Sequence, residues 1–178
     1  MKTDYEIRQE TEKDYPQVFK LVEEAFRDME ESDHREQFLV ERLRHSPAFV
    51  PELSLVADED GGVVGYGLMT RVSIRSGILD AESLALAPVA VRPDRQSMGI
   101  GSGLIRELHA RAARLGYKSA VVLGHEGFYP RFGYRKASDY GIAFPFEVPS
   151  ECCMAVELVA GGLRDIRGVV CYPEAFME

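Results

Sequence analysis

The sequence predicts one α/β domain, a twisted, mostly antiparallel mixed sheet layered between helices on both faces. Three observations carry this. Short segments of alternating or continuously apolar character recur along the chain, as strands require. Longer segments place their apolar residues at helical spacing. The order strand, loop, helix, strand over residues 81–123 makes a right-handed crossover, which sets its two strands parallel.

Taken in order, residues 2–10 alternate Tyr5 and Ile7 with polar neighbours and read as a first strand. Asp14 is placed to N-cap a helix that runs to Phe26, with Val18, Leu21, Val22, Ala25 and Phe26 on one face. A second helical segment over residues 35–44 carries Phe38, Leu39 and Leu43, and the acidic stretch between the two is a loop. Residues 53–57 and 63–72 form a hairpin about the turn Glu59-Asp60-Gly61-Gly62. Residues 81–91 are a long strand interrupted at Pro88, where a proline predicts a bulge or an end to pairing. Residues 102–115 form an amphipathic helix closed by Gly116, residues 119–123 a buried strand, and residues 140–146 and 154–159 late strands that complete the sheet. With no repeat, low-complexity tract or linker, residues 1–178 are expected to form a single domain.

Composition narrows the function classes. A formal net charge of −8, with 21 basic residues dispersed along the chain, argues against a nucleic-acid partner and suits a basic small-molecule or peptide one. No apolar run approaches a bilayer span, and residues 1–10 are charged where a signal peptide would be apolar, so a soluble cytoplasmic protein is expected. Cys152 and Cys153 are adjacent and Cys171 stands apart, without the spacing of a disulfide framework or a metal site. His34, His45, His109 and His125 show no paired-ligand pattern, so no metal is expected.

The most informative segment is Val91-Arg92-Pro93-Asp94-Arg95-Gln96-Ser97-Met98-Gly99-Ile100-Gly101-Ser102-Gly103-Leu104, which joins an apolar strand to an amphipathic helix through closely spaced glycines. Gly99 and Gly101 permit tight turns, so that consecutive N–H groups and the positive end of the next helix converge on an anion. A pyrophosphate fits that geometry. The dinucleotide fingerprint needs a glycine where Leu104 stands, and a P-loop needs a lysine after Gly101, where Ser102 follows instead.

The segment Gln96-Ser97-Met98-Gly99-Ile100-Gly101 resembles the coenzyme A loop of the GNAT superfamily of N-acetyltransferases, whose form is Gln/Arg-x-x-Gly-x-Gly/Ala. The lead Val89-Ala90-Val91-Arg92-Pro93 matches the family's strand before that loop. Downstream, Phe128-Tyr129-Pro130-Arg131-Phe132-Gly133-Tyr134 is similar to the family's Tyr-x-x-x-Gly-Phe, departing only in its last ring. The element order and the closing Tyr172-Pro173-Glu174-Ala175-Phe176 also look like a group of bacterial predicted N-acetyltransferases. The resemblance implies a three-layer fold whose parallel strand pair splays, with acetyl-CoA as cosubstrate in the gap. It places pantetheine against the backbone of Val89, Ala90 and Val91 and the pyrophosphate on amides of Gln96, Ser97, Met98, Gly99, Ile100 and Gly101. Arg92 and Arg95 flank the loop, with Arg131 across the cleft, and one guanidinium contact to a phosphate is expected, Arg95 being counted with the cofactor-binding residues. Members often pair through late strands, which makes residues 154–159 a candidate homodimer edge.

Acyl transfer from a thioester to an amine requires an uncharged amine, a polarised carbonyl and a proton for the leaving thiolate. By resemblance Tyr129 is the general acid and the Val89 N–H an oxyanion donor; packing beside Phe128 and Phe132 is the alternative role for that tyrosine. Glu82 and Glu126 are candidate bases, with surface solvation or release of the proton to bulk water as alternatives. His125 is a candidate to face the acceptor. Cys152 and Cys153 are expected in a late strand away from both motifs, so direct transfer is expected over a covalent enzyme intermediate. The alternative class is a non-catalytic acetyl-CoA or CoA sensor, or an interaction module. Residues 35–50 and 138–149 are expected to line the acceptor side, and carry no recognisable code for a small amine, a peptide amine or a protein lysine.

Overall fold

The structure, a computed structural model, describes residues 4–177; the start of the expected first strand, residues 2–3, lies outside them. Strands β1 (Glu6–Gln9), β2 (Ser54–Glu59), β3 (Gly62–Ser76), β4 (Leu79–Val91), β5 (Ser119–Leu123), β6 (Arg135–Lys136), β7 (Ile142–Ala143), β8 (Cys153–Glu157) and β9 (Gly168–Cys171) form one sheet. Its order is β1-β2-β3-β4-β5-β8-β6, with β9 on β3 and β7 on β9. Pairing is antiparallel except between β4 and β5 and between β7 and β9. The helices are α1 (Tyr15–Phe26), α2 (Glu36–Arg44) and α3 (Ile100–Arg114).

Period-2 alternation, reset by the bulges at Ala57/Asp58 and opposite Gly67–Met69, sorts the strand side chains between two helical layers. Leu55 and Ala57 of β2, Val64 and Met69 of β3, and Leu84 and Leu86 of β4 pack with Ile100, Leu104, Ile105 and Leu108 of α3. Val56, Tyr66, Leu68 and Ala90 alternate to the other face, against Val18, Leu21 and Val22 of α1 and Val40 and Leu43 of α2. A third cluster, with Ala85, Val121 and Ala155 beneath Ile142, Leu163 and Val170, covers the C-terminal half of the sheet. The expected layering and the parallel crossover through α3 are therefore present.

Several elements differ from expectation for local reasons. Asp14 precedes α1 without capping it by its side chain. Its carboxylate instead accepts from the Thr11 N–H at 2.7 Å and from both Arg8 terminal nitrogens at 2.7 and 2.9 Å, and the Arg8 hydrogen bonds hold it below the usual carboxylate range. The late strand expected over residues 140–146 shrinks to β7, because a short helical turn at Ala137–Tyr140 and the left-handed Gly141 precede it. β6 and β9 were not expected at all. The β8 edge expected to join two copies carries β6, opposite Met154 and Ala155.

A buried ion pair fixes α2. Arg44 at its C-terminal end donates to Glu10 at 3.0 and 2.8 Å and lies 3.8 Å over the Tyr15 ring, and Ser54 Oγ donates to the same carboxylate at 2.6 Å. Each buried charge is thus paired and hydrogen-bonded, the condition under which such a pair is tolerated. This anchor sets the position of the other end of α2, which reaches the cleft described next.

Candidate active site

β4 is the strand on which the site is built. Opposite Gly67–Met69 of β3 its register shifts, so that Ala87 and Pro88 together face Leu68, and the strand bulges there. On its other edge β4 pairs with β5 at Ala85↔Val121, and beyond that pair no strand among the described residues occupies this edge. The two strands splay where the proline predicted an interruption. A cleft of 480 Å³ opens in the gap, with Pro88, Val89, Ala90 and Val91 along one wall and Gly124, Phe128 and Tyr129 along the other.

The cleft continues past Val91, Gln96 and Gly101 into a second hollow lined by Arg95, Ser97, Gly99, Ile100 and Arg131. Ser97 and Gly99 both have positive φ, 64° and 85°, and Gly99 is the N-cap of α3. That alternation turns successive N–H groups inward, and the first turn of a helix adds donors without intrahelical partners. The result is a concave, positively polarised cradle. A Cβ built on Gly99 would meet nothing within 4 Å, so the hollow is open at that point. Gln96 ties the loop back to the strand through Nε2 and the Val91 carbonyl at 3.2 Å. Met98 is 65% exposed and does not line either hollow.

The guanidinium groups divide their duties. Arg95 lines the cradle, with its charge held by Glu59 through two bonds of 2.9 Å, and Arg92 pairs with Asp94 at 2.6 Å. Arg131 stacks 4.7 Å over Phe128 and donates to the Phe128 and Gly127 carbonyls. Among the described residues no carboxylate pairs with it, so Arg131 is the cation left to the cradle.

Tyr129 opens a short helical turn, Tyr129–Phe132, that the left-handed Gly133 ends. Its ring sits edge-on to Phe128 at 5.1 Å and to Tyr134 at 5.8 Å. Gly124 passes so close that a Cβ there would lie 2.2 Å from Tyr129 Cε2. The hydroxyl has no hydrogen-bond partner among the described residues, and burial raises its pKa above the ordinary value of 10.0. The motif's departure at Tyr134 is accommodated as well, since its buried hydroxyl pairs with His109 Nε2 of α3 at 2.9 Å.

Burial lowers the pKa of His109 from 6.5 to about 4. The folded protein therefore binds one proton fewer than the unfolded chain between those values, and stability falls as pH drops through that window. At about 1.4 kcal/mol per pH unit the whole window is worth roughly 3 kcal/mol. Denaturant unfolding of the wild type and of His109→Gln at pH 7.5 and 4.5 is expected to show the smaller loss in the variant; equal losses would remove His109 as the cause.

Other sequence candidates fall elsewhere. Glu82 is opposite Ser73 at the far end of β4, beside Arg71 and Arg75, and Glu126 is exposed and does not line the cleft. His125 does line it, with Nδ1 accepting from the Gly127 N–H at 2.9 Å. The cysteines require a correction. β8 lies directly against β5, and the Gly124 N–H donates to the Cys152 carbonyl at 3.0 Å, so they adjoin the Tyr129 motif. Burial pushes the Cys153 thiol up, the reverse of what a nucleophile needs. Glu36 of α2 is a carboxylate in the cleft that no motif marked, within the segment expected on the acceptor side. Among the described residues no group of three His, Cys, Asp or Glu is placed to hold a metal ion, and no helix is long and apolar enough to cross a membrane.

Residues 6–137 match the acetyltransferase (GNAT) domain family. The chain belongs to that family. It is 37% identical over 131 residues to the uncharacterized N-acetyltransferase YjhQ of Escherichia coli K12, covering 71% of this chain and 72% of that one. Over 171 residues it is 29% identical to YhbS of the same strain, covering 96% and 97%. The structure of E. coli YhbS in complex with CoA superposes with a TM-score of 0.87 at 27% identity, over 100% of this chain and 94% of that one. A GNAT family acetyltransferase from Brucella melitensis in complex with acetyl-CoA gives 0.79 at 33% identity, over 97% of each. The GNAT protein described here is accordingly an N-acetyltransferase, with the family's mixed sheet and its splayed parallel pair.

Proposed function

We propose that this GNAT domain moves an acetyl group from acetyl-CoA to an amine by direct attack, with Tyr129 as the general acid. The carrying observation is a continuous path. The unpaired edge of β4 runs into the glycine cradle at the start of α3, and Tyr129 lines the same cleft. That the related YhbS and Brucella proteins hold CoA and acetyl-CoA supports the assignment of the coenzyme.

In this reading the free amides of residues 96–101 hold the pyrophosphate, assisted by Arg131, and the exposed edge of Val89, Ala90 and Val91 takes the amides of the pantetheine arm. Arg95 contributes by bracing the loop through Glu59. The neutral amine attacks the thioester carbonyl, the N–C bond forms as the C–S bond breaks, and the Val89 N–H stabilises the oxyanion between. The amine gives up its proton to water. The departing thiolate takes one from Tyr129, which water then restores. A buried phenol stays protonated at neutral pH and is available for that transfer.

Calorimetric titration with acetyl-CoA, followed by a thiol-release assay on mixed amines, tests the proposal. Binding with amine-dependent thiol release is expected. Binding without release from any amine would favour the sensor class, and absence of binding would remove the coenzyme site.

Gly124→Ala gives a sharper check on Tyr129. The added methyl must displace the ring, since the clash is with an aromatic edge packed on both sides. Misplacing a reacting group by about 1 Å costs up to roughly 100-fold in rate. The variant is expected to bind acetyl-CoA normally in calorimetry while its kcat falls by about that factor; an unchanged kcat would place the essential proton donor elsewhere.

A further inference from the structure

The end of the cleft away from the cradle has a distinct chemistry. α1 and the chain after it supply Ala25, Phe26 and Met29, α2 supplies Leu39, and the strand ends supply Leu86 and Leu123. Among the described residues lining the cleft, Glu36 is the single carboxylate, and no arginine or lysine lines it. Glu36 is the first residue of α2, where the helix end favours an anion, and the Ser32 hydroxyl lies 2.7 and 2.5 Å from its two oxygens and shares its single proton with the carboxylate. The carboxylate is therefore fixed at the rim of an apolar wall.

Resting on the acetyltransfer reading above, the geometry points to an acceptor of one class: a small monoamine carrying an aliphatic or aromatic substituent, whose ammonium group Glu36 receives and which passes one proton to water before the neutral amine attacks. An amino acid or other carboxylate-bearing amine would bring an anion to a wall without an arginine or lysine to receive it. A polyamine would bring a second ammonium to a wall without a second carboxylate, and leaving such a charge unpaired in an apolar site is costly. The volume argues the same way. The 480 Å³ must house both the pantetheine arm and the acceptor, near the low end of the roughly 300–1,000 Å³ typical of small-molecule sites.

Thiol release is measured with phenethylamine, hexylamine, spermidine, lysine and a lysine peptide, alongside calorimetry with acetyl-CoA. The two apolar monoamines are expected to exceed the others by about tenfold or more in kcat/KM. Glu36→Gln keeps the Ser32 contact and removes the charge, and is expected to raise the KM for hexylamine about tenfold or more with kcat and acetyl-CoA affinity retained. Met29→Asp changes a side chain already 44% exposed, and is expected to lower kcat/KM for hexylamine without lowering it for spermidine. Normal acetyl-CoA binding with the best turnover on spermidine, lysine or the peptide overturns this inference alone, whereas binding with no turnover of any amine overturns the acetyltransfer reading with it. An unchanged KM in Glu36→Gln removes the role of that carboxylate. Absence of acetyl-CoA binding overturns the acetyltransfer reading and this inference with it.

Discussion

Tyr129→Phe is expected to lower kcat by about 10²–10⁴-fold, the usual contribution of a positioned general acid, while leaving acetyl-CoA affinity and stability nearly unchanged. The separation is possible because the hydroxyl has no hydrogen-bond partner among the described residues, whereas the ring contacts with Phe128 and Tyr134 survive in phenylalanine. Removing the oxygen therefore leaves no orphaned partner behind. The pH profile adds a second signature. An acid works in its protonated form, below its pKa, and burial has raised that of Tyr129 above 10.0. Loss of activity with rising pH is thus expected only above pH 10, and the rise at lower pH belongs to the amine losing its own proton. A variant retaining full kcat would leave Tyr129 with a packing role only.

Gly99→Glu is expected to weaken acetyl-CoA binding by about 100-fold or more. Gly99 adopts φ 85° at the N-cap of α3, and a side chain there would project into open space at the mouth of the cradle. A carboxylate so placed faces a pyrophosphate, and like charges in juxtaposition cost several kcal/mol, at about 1.4 kcal/mol per factor of ten. The left-handed backbone adds roughly 1–2 kcal/mol of strain for any non-glycine residue. Gly99→Ala carries that strain without the charge and separates the two effects. It is expected to keep affinity within about tenfold of the wild type. Equal losses in the two variants by calorimetry would assign the defect to backbone strain, and no loss in either would move the phosphates away from this loop.

How much of this was legible in the sequence follows from the range of the forces involved. The loop and its lead strand could be read because their requirement is local: Gly99 and Gly101 recur at a spacing set by the turn itself, and Pro88 marks where pairing ends. Tyr129 was legible for the same reason, its turn being closed four residues later by Gly133. β6 and β9 were not, since segments of two to four residues are too short to display a period, and each exists only because a longer strand offers it an edge; β7 is what remains of the strand expected over residues 140–146. The cysteines were displaced from their expected surroundings by sheet order. Nothing in Cys152-Cys153 reports that β8 will lie beside β5. Glu36 reads as an ordinary first-turn acidic residue of α2, and its place in the cleft depends on how the helix is anchored at its other end by Arg44.

The two ends of the cleft come from separate stretches of chain. The cradle and the Tyr129 wall belong to β4, the start of α3 and residues 124–131, whereas the opposite end is furnished chiefly by residues 25–39, with Leu86 and Leu123 from the strand ends. On the proposed placement of the acceptor, substitutions accumulating in that early stretch would retune which amine is accepted while the donor machinery stays intact. Descendants of one ancestral gene can in this way diverge in diet while sharing the same fuel, and a hybrid that exchanges residues 25–39 between relatives would inherit its taste from the graft.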